Sequence, residues 1–155
     1  MKASDILQYK FNHAHPVQVR YNDLDLAGHV NNAVFHEYFD LGRTFYFREV
    51  LGEDAINRNQ GIVIVQANTT FIKEVFLEDE LQVLTKIIRF GNSSFDMLQA
   101  LVRNTEAGIE LVTFAITTFV CMNYTEGNSQ AIPLEWIKAM GDFDDVLCEI
   151  KKQPE

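Results

Sequence analysis

Val19-Arg20-Tyr21-Asn22-Asp23-Leu24-Asp25-Leu26-Ala27-Gly28-His29-Val30-Asn31-Asn32 holds two carboxylates, a histidine and three asparagines between two apolar segments of different period. On its N-terminal side Val17, Val19 and Tyr21 alternate with Gln18, Arg20 and Asn22, which predicts a strand ending in the polar turn 22–28. On its C-terminal side Phe35, Tyr38, Phe39, Leu41, Phe45 and Tyr46 recur at three- and four-residue steps, which predicts one long helix from Asn32 to about Val50. Asn31 or Asn32 suits the N-cap and Gly52 the stop. Gly42, inside that helix, costs about 1 kcal/mol relative to alanine and implies close approach to a packing partner.

Beyond residues 51–60 the period changes to two. Residues 61–72, 80–90, 94–104 and 109–122 read as strands, with hairpin turns at Gly91-Asn92-Ser93 and Glu106-Ala107-Gly108 and a short helix over Leu134–Met140. The order is that of an α+β fold, a mainly antiparallel sheet wrapped on one helix, in a single domain over 1–155 with a core at about 15–135 and an extension at 134–155. Two of the strands are apolar on both faces, for example Leu81, Val83 and Ile87 against Leu84, Ile88 and Phe90. One helix covers one face, so another subunit or the C-terminal segment has to shield the other, and at least a homodimer is expected.

Composition excludes several partner classes. The 155 residues are 47% hydrophobic with a formal charge of −9, which disfavours nucleic acid and anionic membranes, whose binding needs a basic face. No apolar run approaches the roughly 20 residues of a membrane helix, and no signal-peptide pattern opens the chain, so a cytoplasmic location is expected. Cys121 and Cys148 form no CxxC pair. His13-Ala14-His15, beside a terminus expected to be mobile, lacks an evident third ligand, so no metal is expected there. Asp142, Asp144 and Asp145 read as a solvated acidic tail.

The turn at 22–32 is different. Asp, Asn and Gly are turn formers, and an acid near a helix start complements the helix dipole. The same residues also suit acyl transfer: amides at a helix start hold an oxyanion while a nearby carboxylate acts as base or nucleophile.

Asp23-Leu24-Asp25-Leu26-Ala27-Gly28-His29-Val30-Asn31-Asn32, followed by Phe35, Tyr38, Phe39 and Arg43, resembles the signature of the 4-hydroxybenzoyl-CoA thioesterase branch of the hotdog-fold superfamily. The order of elements agrees over about 15–135, and Ala131-Ile132-Pro133 is similar to the family's exit from its last strand. The resemblance implies a five-stranded sheet around one helix, and hydrolysis of an acyl-CoA or acyl-carrier thioester in interfacial sites of a homodimer or homotetramer. It assigns Asp25 as the catalytic carboxylate and the Asn32 backbone N–H as the group polarising the thioester carbonyl. Gly28 would let the turn pass close to substrate, and His29 and Asn31 would shape the turn or line the pocket. Asp23 falls to a structural role, and Phe35 stands where relatives often carry tyrosine. No metal or redox cofactor is called for, since coenzyme A enters as part of the substrate. For its phosphates Arg89, Asn92, Ser93, Ser94 and Lys73 are candidates, while Phe35, Phe39 and Val63 are possible channel walls. The competing readings are a non-catalytic acyl-thioester-binding protein and a hotdog hydratase or dehydratase, the latter kept open by His29.

Overall fold

The computed structural model describes residues 2–146. A single helical turn, α1 (Ala3–Ile6), precedes the edge strand β1 (His13–Gln18). The chain then passes through a 3-10 turn at Tyr21–Asp23 into the long helix α2 (Val34–Leu51). Four long strands follow, β2 (Gly61–Phe71), β3 (Glu80–Phe90), β4 (Ser94–Thr105) and β5 (Gly108–Asn123), then a two-residue β6 (Asn128–Ser129) and α3 (Leu134–Asp144). All pairings are antiparallel and the long strands run in the order β1-β3-β4-β5-β2, with β6 on β5.

The predicted bounds of α2 and the four long strands agree with these to within about two residues at each end. The first strand differs: it starts at His13 and ends at Gln18, and Tyr21 belongs to the 3-10 turn. Asn31 sets the start of α2, its side-chain oxygen accepting the Ala33 N–H at 3.0 Å and its carbonyl the Val34 N–H at 2.9 Å. Gly52, at φ 96°, ends the helix in a backbone conformation that favours glycine.

α2 lies along the concave face of the sheet, burying Phe35, Tyr38, Phe39, Tyr46 and Phe47. Gly42 makes the close approach expected of it, because a Cβ there would stand 2.5 Å from Val83 Cγ1. Toward the N-terminal end of the helix Phe39 packs with Val83, Leu101 and Ala115; toward the other end Tyr46 and Phe47 meet Phe95, Phe119 and Trp136 of α3.

Part of the outer face is shielded by a segment that the sequence did not mark for this. The N-terminal segment folds across it, with fully buried Ile6 and half-buried Phe11 packed on Leu98, Ala100, Val102 and Phe114. Burying a side chain such as Ile6 contributes roughly 1.5–3 kcal/mol. The acidic tail is also not simply solvated. Asp144 is buried at the end of α3, while Asp142 and Asp145 pair with Lys138 and Lys10. His13 and His15 are ordered in β1 rather than near a loose end, against Tyr46 and Phe45 of α2. Cys121 is a buried free thiol whose ionisation burial pushes up to about 11; Cys148 lies outside the described residues.

Candidate active site

The turn between β1 and α2 is built around two aspartates with opposite environments. Asp23 is buried, and its Oδ2 accepts the Tyr38 hydroxyl at 2.7 Å and the Arg20 N–H at 2.8 Å. The Arg20 side chain donates to Asp23 Oδ1 at 3.1 Å and reaches Glu37 at 2.9 Å. Burial alone would push the Asp23 carboxyl up, but the hydrogen bonds from Tyr38 and Arg20 and the guanidinium charge outweigh it and hold the group below its ordinary value. This acid is committed to holding the turn, the structural role expected for it.

Asp25 is exposed. Its backbone N–H donates to the His29 carbonyl at 2.8 Å, and its carbonyl accepts the Gly28 N–H at 3.0 Å, closing a tight loop. Gly28 sits at φ 78°, which explains glycine at that point. An antiparallel bridge between Leu24 and Val30 closes the neck, and the Val30 N–H bonds the Val75 carbonyl at 2.9 Å. Within the loop Asp25 Oδ1 accepts the N–H groups of Ala27 at 2.8 Å and His29 at 3.3 Å. These bonds orient the carboxylate through one oxygen, and among the described residues no cation pairs with it.

Asp25 and Asn32 line one cavity of about 240 Å³, together with His29, Phe35, Phe71 and Lys73. Among the described residues the Asn32 N–H has no acceptor, whereas those of Asn31, Ala33 and Val34 are all satisfied. An unpaired amide at the positive end of α2 is suited to an oxygen that gains negative charge. Phe35 and Phe71 meet edge to face at 5.4 Å and form an apolar wall, and His29 packs on Phe76 at 5.0 Å. Asn31 is spent on the helix start rather than in the cavity lining.

Of the phosphate candidates only Lys73 reaches this cavity, and its ammonium is bonded to Glu110. Arg89 pairs with Asp96 at 2.6 Å. Asn92, Ser93 and Ser94 form the β3–β4 turn, fixed by bonds such as Cys121 N–H to the Ser93 carbonyl at 2.8 Å. Ser94 pairs with Val120, which pairs with Val63, whereas Phe71 pairs with Thr113. The turn therefore stands at the opposite end of the sheet from Asp25 of the same chain, roughly 25 Å away at the rise of a strand. Phe39 is a core residue, and Val63 is not part of the cavity wall.

A second cavity, of about 350 Å³, went unrecognised in the sequence. It lies between the C-terminal half of α2 and β2, walled by Arg43, Phe47, Ile56, Ile62, Ile64 and Phe119. Arg43 crosses the Phe119 ring at 5.8 Å and pairs with Asp40; burial lowers its pKa to about 10. Ile56, in an irregular connection, carries no periodic signal, so nothing in the sequence marks it as a cavity wall.

An antiparallel sheet curled around one long helix is a hotdog-like thioesterase fold. The chain belongs to the Thioesterase-like superfamily, whose sequence pattern matches residues 19–142. It is similar to a thioesterase of Thermus thermophilus crystallised with coenzyme A and Zn, at 26% identity and TM-score 0.78 over 89% of this chain and 98% of that one. A 4-hydroxybenzoyl-CoA thioesterase variant complexed with 4-hydroxybenzoyl-CoA shares the fold, at 24% identity and TM-score 0.73 over 82% of this chain and 96% of that one. The uncharacterized protein YsmA of Bacillus subtilis is 28% identical over 87 residues, 56% of this chain and 58% of YsmA.

Proposed function

We propose that this chain is an acyl-CoA thioesterase of the 4-hydroxybenzoyl-CoA thioesterase-like branch, hydrolysing a thioester to a free carboxylic acid and coenzyme A. The observation that carries this reading is that Asp25, an exposed carboxylate whose Oδ2 accepts no hydrogen bond among the described residues, lines one cavity with Asn32, whose amide is unpaired among them. With the thioester oxygen against the Asn32 N–H, negative charge developing on it is stabilised by the amide and the helix dipole. The Asp25 carboxylate either takes a proton from a water that attacks the acyl carbon, or attacks that carbon itself to give an anhydride that water then cleaves; in either case the C–S bond breaks, coenzyme A leaves as thiolate and takes up a proton that the water releases. A carboxylate, an amide and water suffice for this chemistry, so no cofactor enters. The coenzyme A held by the Thermus relative supports CoA as the carrier, with an acyl-carrier thioester as the other source of the same group.

The site works in a homodimer in this proposal. β2 pairs on one side only, with β5, and its outer half is largely exposed. A two-fold axis through β2 would carry the Arg89–Ser94 turn of one copy to the end of the sheet where the other copy's Asp25 lies. Residues too distant within one chain would then share a substrate.

Thiol release from a panel of acyl-CoA esters tests the reading. Loss of hydrolysis in Asp25→Asn, with acyl-CoA binding retained, is the expected result. Binding with no thiol release by the unaltered protein would instead mark a binding protein. Formation of an enoyl or hydroxyacyl product would mark a hydratase or dehydratase.

A further inference from the structure

The connection from β2 to β3, residues 72–79, has no regular structure, yet it supplies Ile72, Lys73 and Glu74 to the wall of the Asp25 cavity. It also holds the Asp25 turn at two points. The Val75 carbonyl accepts the Val30 N–H at 2.9 Å, and the Phe76 ring meets His29 edge to face at 5.0 Å. His29 in turn fixes Asp25 twice: its carbonyl takes the Asp25 N–H at 2.8 Å, and its own N–H donates to Asp25 Oδ1 at 3.3 Å. The place of the Asp25 carboxylate therefore follows the place of Val75 and Phe76.

The connection is anchored at its first residues, where the Ile72 and Lys73 N–H groups share the Val112 carbonyl at 3.0 and 3.1 Å. At its far end Asp79 Oδ2 accepts the Phe76 N–H at 2.9 Å. Arg103, near the end of β4, joins the two. Its Nη1 donates to Asp79 Oδ2 at 2.8 Å and to the Glu74 carbonyl at 3.3 Å. Its Nε and Nη2 donate to Glu110 Oε2 of β5 at 3.1 and 2.5 Å, and Glu110 Oε1 accepts from Lys73 Nζ at 2.5 Å. One guanidinium thus pins the connection at Glu74 and Asp79, on either side of Val75 and Phe76, and through Glu110 at Lys73. A lone surface pair would hold little, because solvent screens it and its long side chains remain free to move. Arg103 and Asp79 are each only 17% exposed, and the rigid fork of the guanidinium serves three groups at once.

We infer that Arg103 is a positioning residue for thioester hydrolysis: it holds residues 74–79 so that Val75 and Phe76 keep the Asp25 carboxylate aimed at the acyl carbon. This rests on the thioesterase reading above. Arg103 is not part of the cavity wall, so it acts through Asp25 rather than on the substrate. Asp25 is exposed and oriented through one oxygen, which leaves its direction dependent on the turn beneath it. Misplacing a reacting group by about 1 Å costs roughly a hundredfold in rate.

The experiment measures thiol release and Val30 amide hydrogen exchange in the full-length protein and its variants, using the acyl-CoA ester that the unaltered protein cleaves fastest. Arg103→Leu is expected to lower kcat by about ten- to a hundredfold, with KM within about threefold of its starting value. The Val30 amide should exchange at least about tenfold faster. Arg103→Lys keeps the charge without the fork, so it recovers only part of kcat; it carries the same measurements should Arg103→Leu fail to fold. In an Asp25→Asn background, Arg103→Leu should change the residual rate by less than about twofold, because the group it positions is already gone. An unchanged kcat, a loss confined to KM, or full recovery by lysine would overturn the assignment. So would a loss in the Asp25→Asn background as large as in the unaltered one, which a general loss of structure would produce. Absence of thiol release from every ester by the unaltered protein strikes the thioesterase reading instead, and Val30 exchange then still decides whether Arg103 holds the turn.

Discussion

The two ends of α2 carry the same pair of groups, a buried tyrosine hydroxyl donating to a buried aspartate. Tyr38 bonds Asp23 at 2.7 Å near the start, and Tyr46 bonds Asp144 at 2.5 Å two turns further on. The consequences are opposite. At Asp23, burial raises the carboxyl, but the bonds from Tyr38 and Arg20 more than reverse it. At Asp144, burial dominates and holds the carboxyl above its ordinary value, against the pull of Tyr46, the Ile87 N–H and the Lys86 ammonium. Lys86 spends its hydrogen bonds on the Lys10 and Asp144 carbonyls, and Asp144 Oδ1 finds no donor among the described residues. The phenol lowers both carboxyls, so the difference lies in the deeper desolvation of Asp144 and in the guanidinium bonded directly to Asp23. Asp25, two residues from Asp23, belongs to neither pair, and that freedom suits it for chemistry.

Substitutions should separate these roles in order of size. Asp25→Asn is expected to lower kcat for thioester hydrolysis by roughly 10²–10⁴-fold while the melting temperature barely moves, since the side chain is exposed. Comparable losses in stability and rate would mean that Asp25 is another structural acid. Asp23→Ala should destabilise by roughly 2–4 kcal/mol in denaturant titration, because it strands the Tyr38 hydroxyl and the Arg20 groups. Gly42→Ala, midway between the two pairs, is expected to cost about 1–3 kcal/mol by driving α2 off Val83. Asp144→Asn should lie within about 1 kcal/mol of the unaltered protein, since an amide keeps an acceptor for Tyr46 and Ile87 and removes an unfavourable buried charge.

The pH dependence sharpens the contrast. A carboxyl lowered in the folded state, as at Asp23, adds stability above its unfolded value of about 3.9, lost as pH falls through the folded one. A carboxyl raised in the folded state, as at Asp144, adds stability below the unfolded value, lost as pH rises through the folded one. Melting curves between about pH 3 and 8 should therefore show Asp23→Asn closing its deficit toward acid, and Asp144→Asn gaining on the unaltered protein toward alkaline pH. Parallel curves for the two variants would remove the distinction.

Much of the architecture was legible because it rests on local periodicity. The aromatic steps from Phe35 to Tyr46 marked α2, and the alternation from Gly61 onward marked four strands close to their observed bounds. Asp25, Gly28, His29, Asn31 and Asn32 were legible as a group, because one short turn holds all of them. Asp144 was misread, since Asp142, Asp144 and Asp145 look alike in sequence and only the docking of α3 on β3 buries the middle one. Part of the cover on the outer face was also missed: nothing near Ile6 indicates that it reaches Leu98 and Phe114, about a hundred residues away in the chain.

By itself, then, the sequence determined which segments are helix or strand and which turn gathers acid, glycine and asparagine, because such preferences act over a few neighbouring residues. Tertiary structure alone decided which acid is buried and which is left exposed, that Asn32 lines the same cavity as Asp25, and that a second cavity exists under Ile56 and Ile64. Those outcomes depend on burial and on partners brought from distant parts of the chain, and neither is written in the spacing of residues along it.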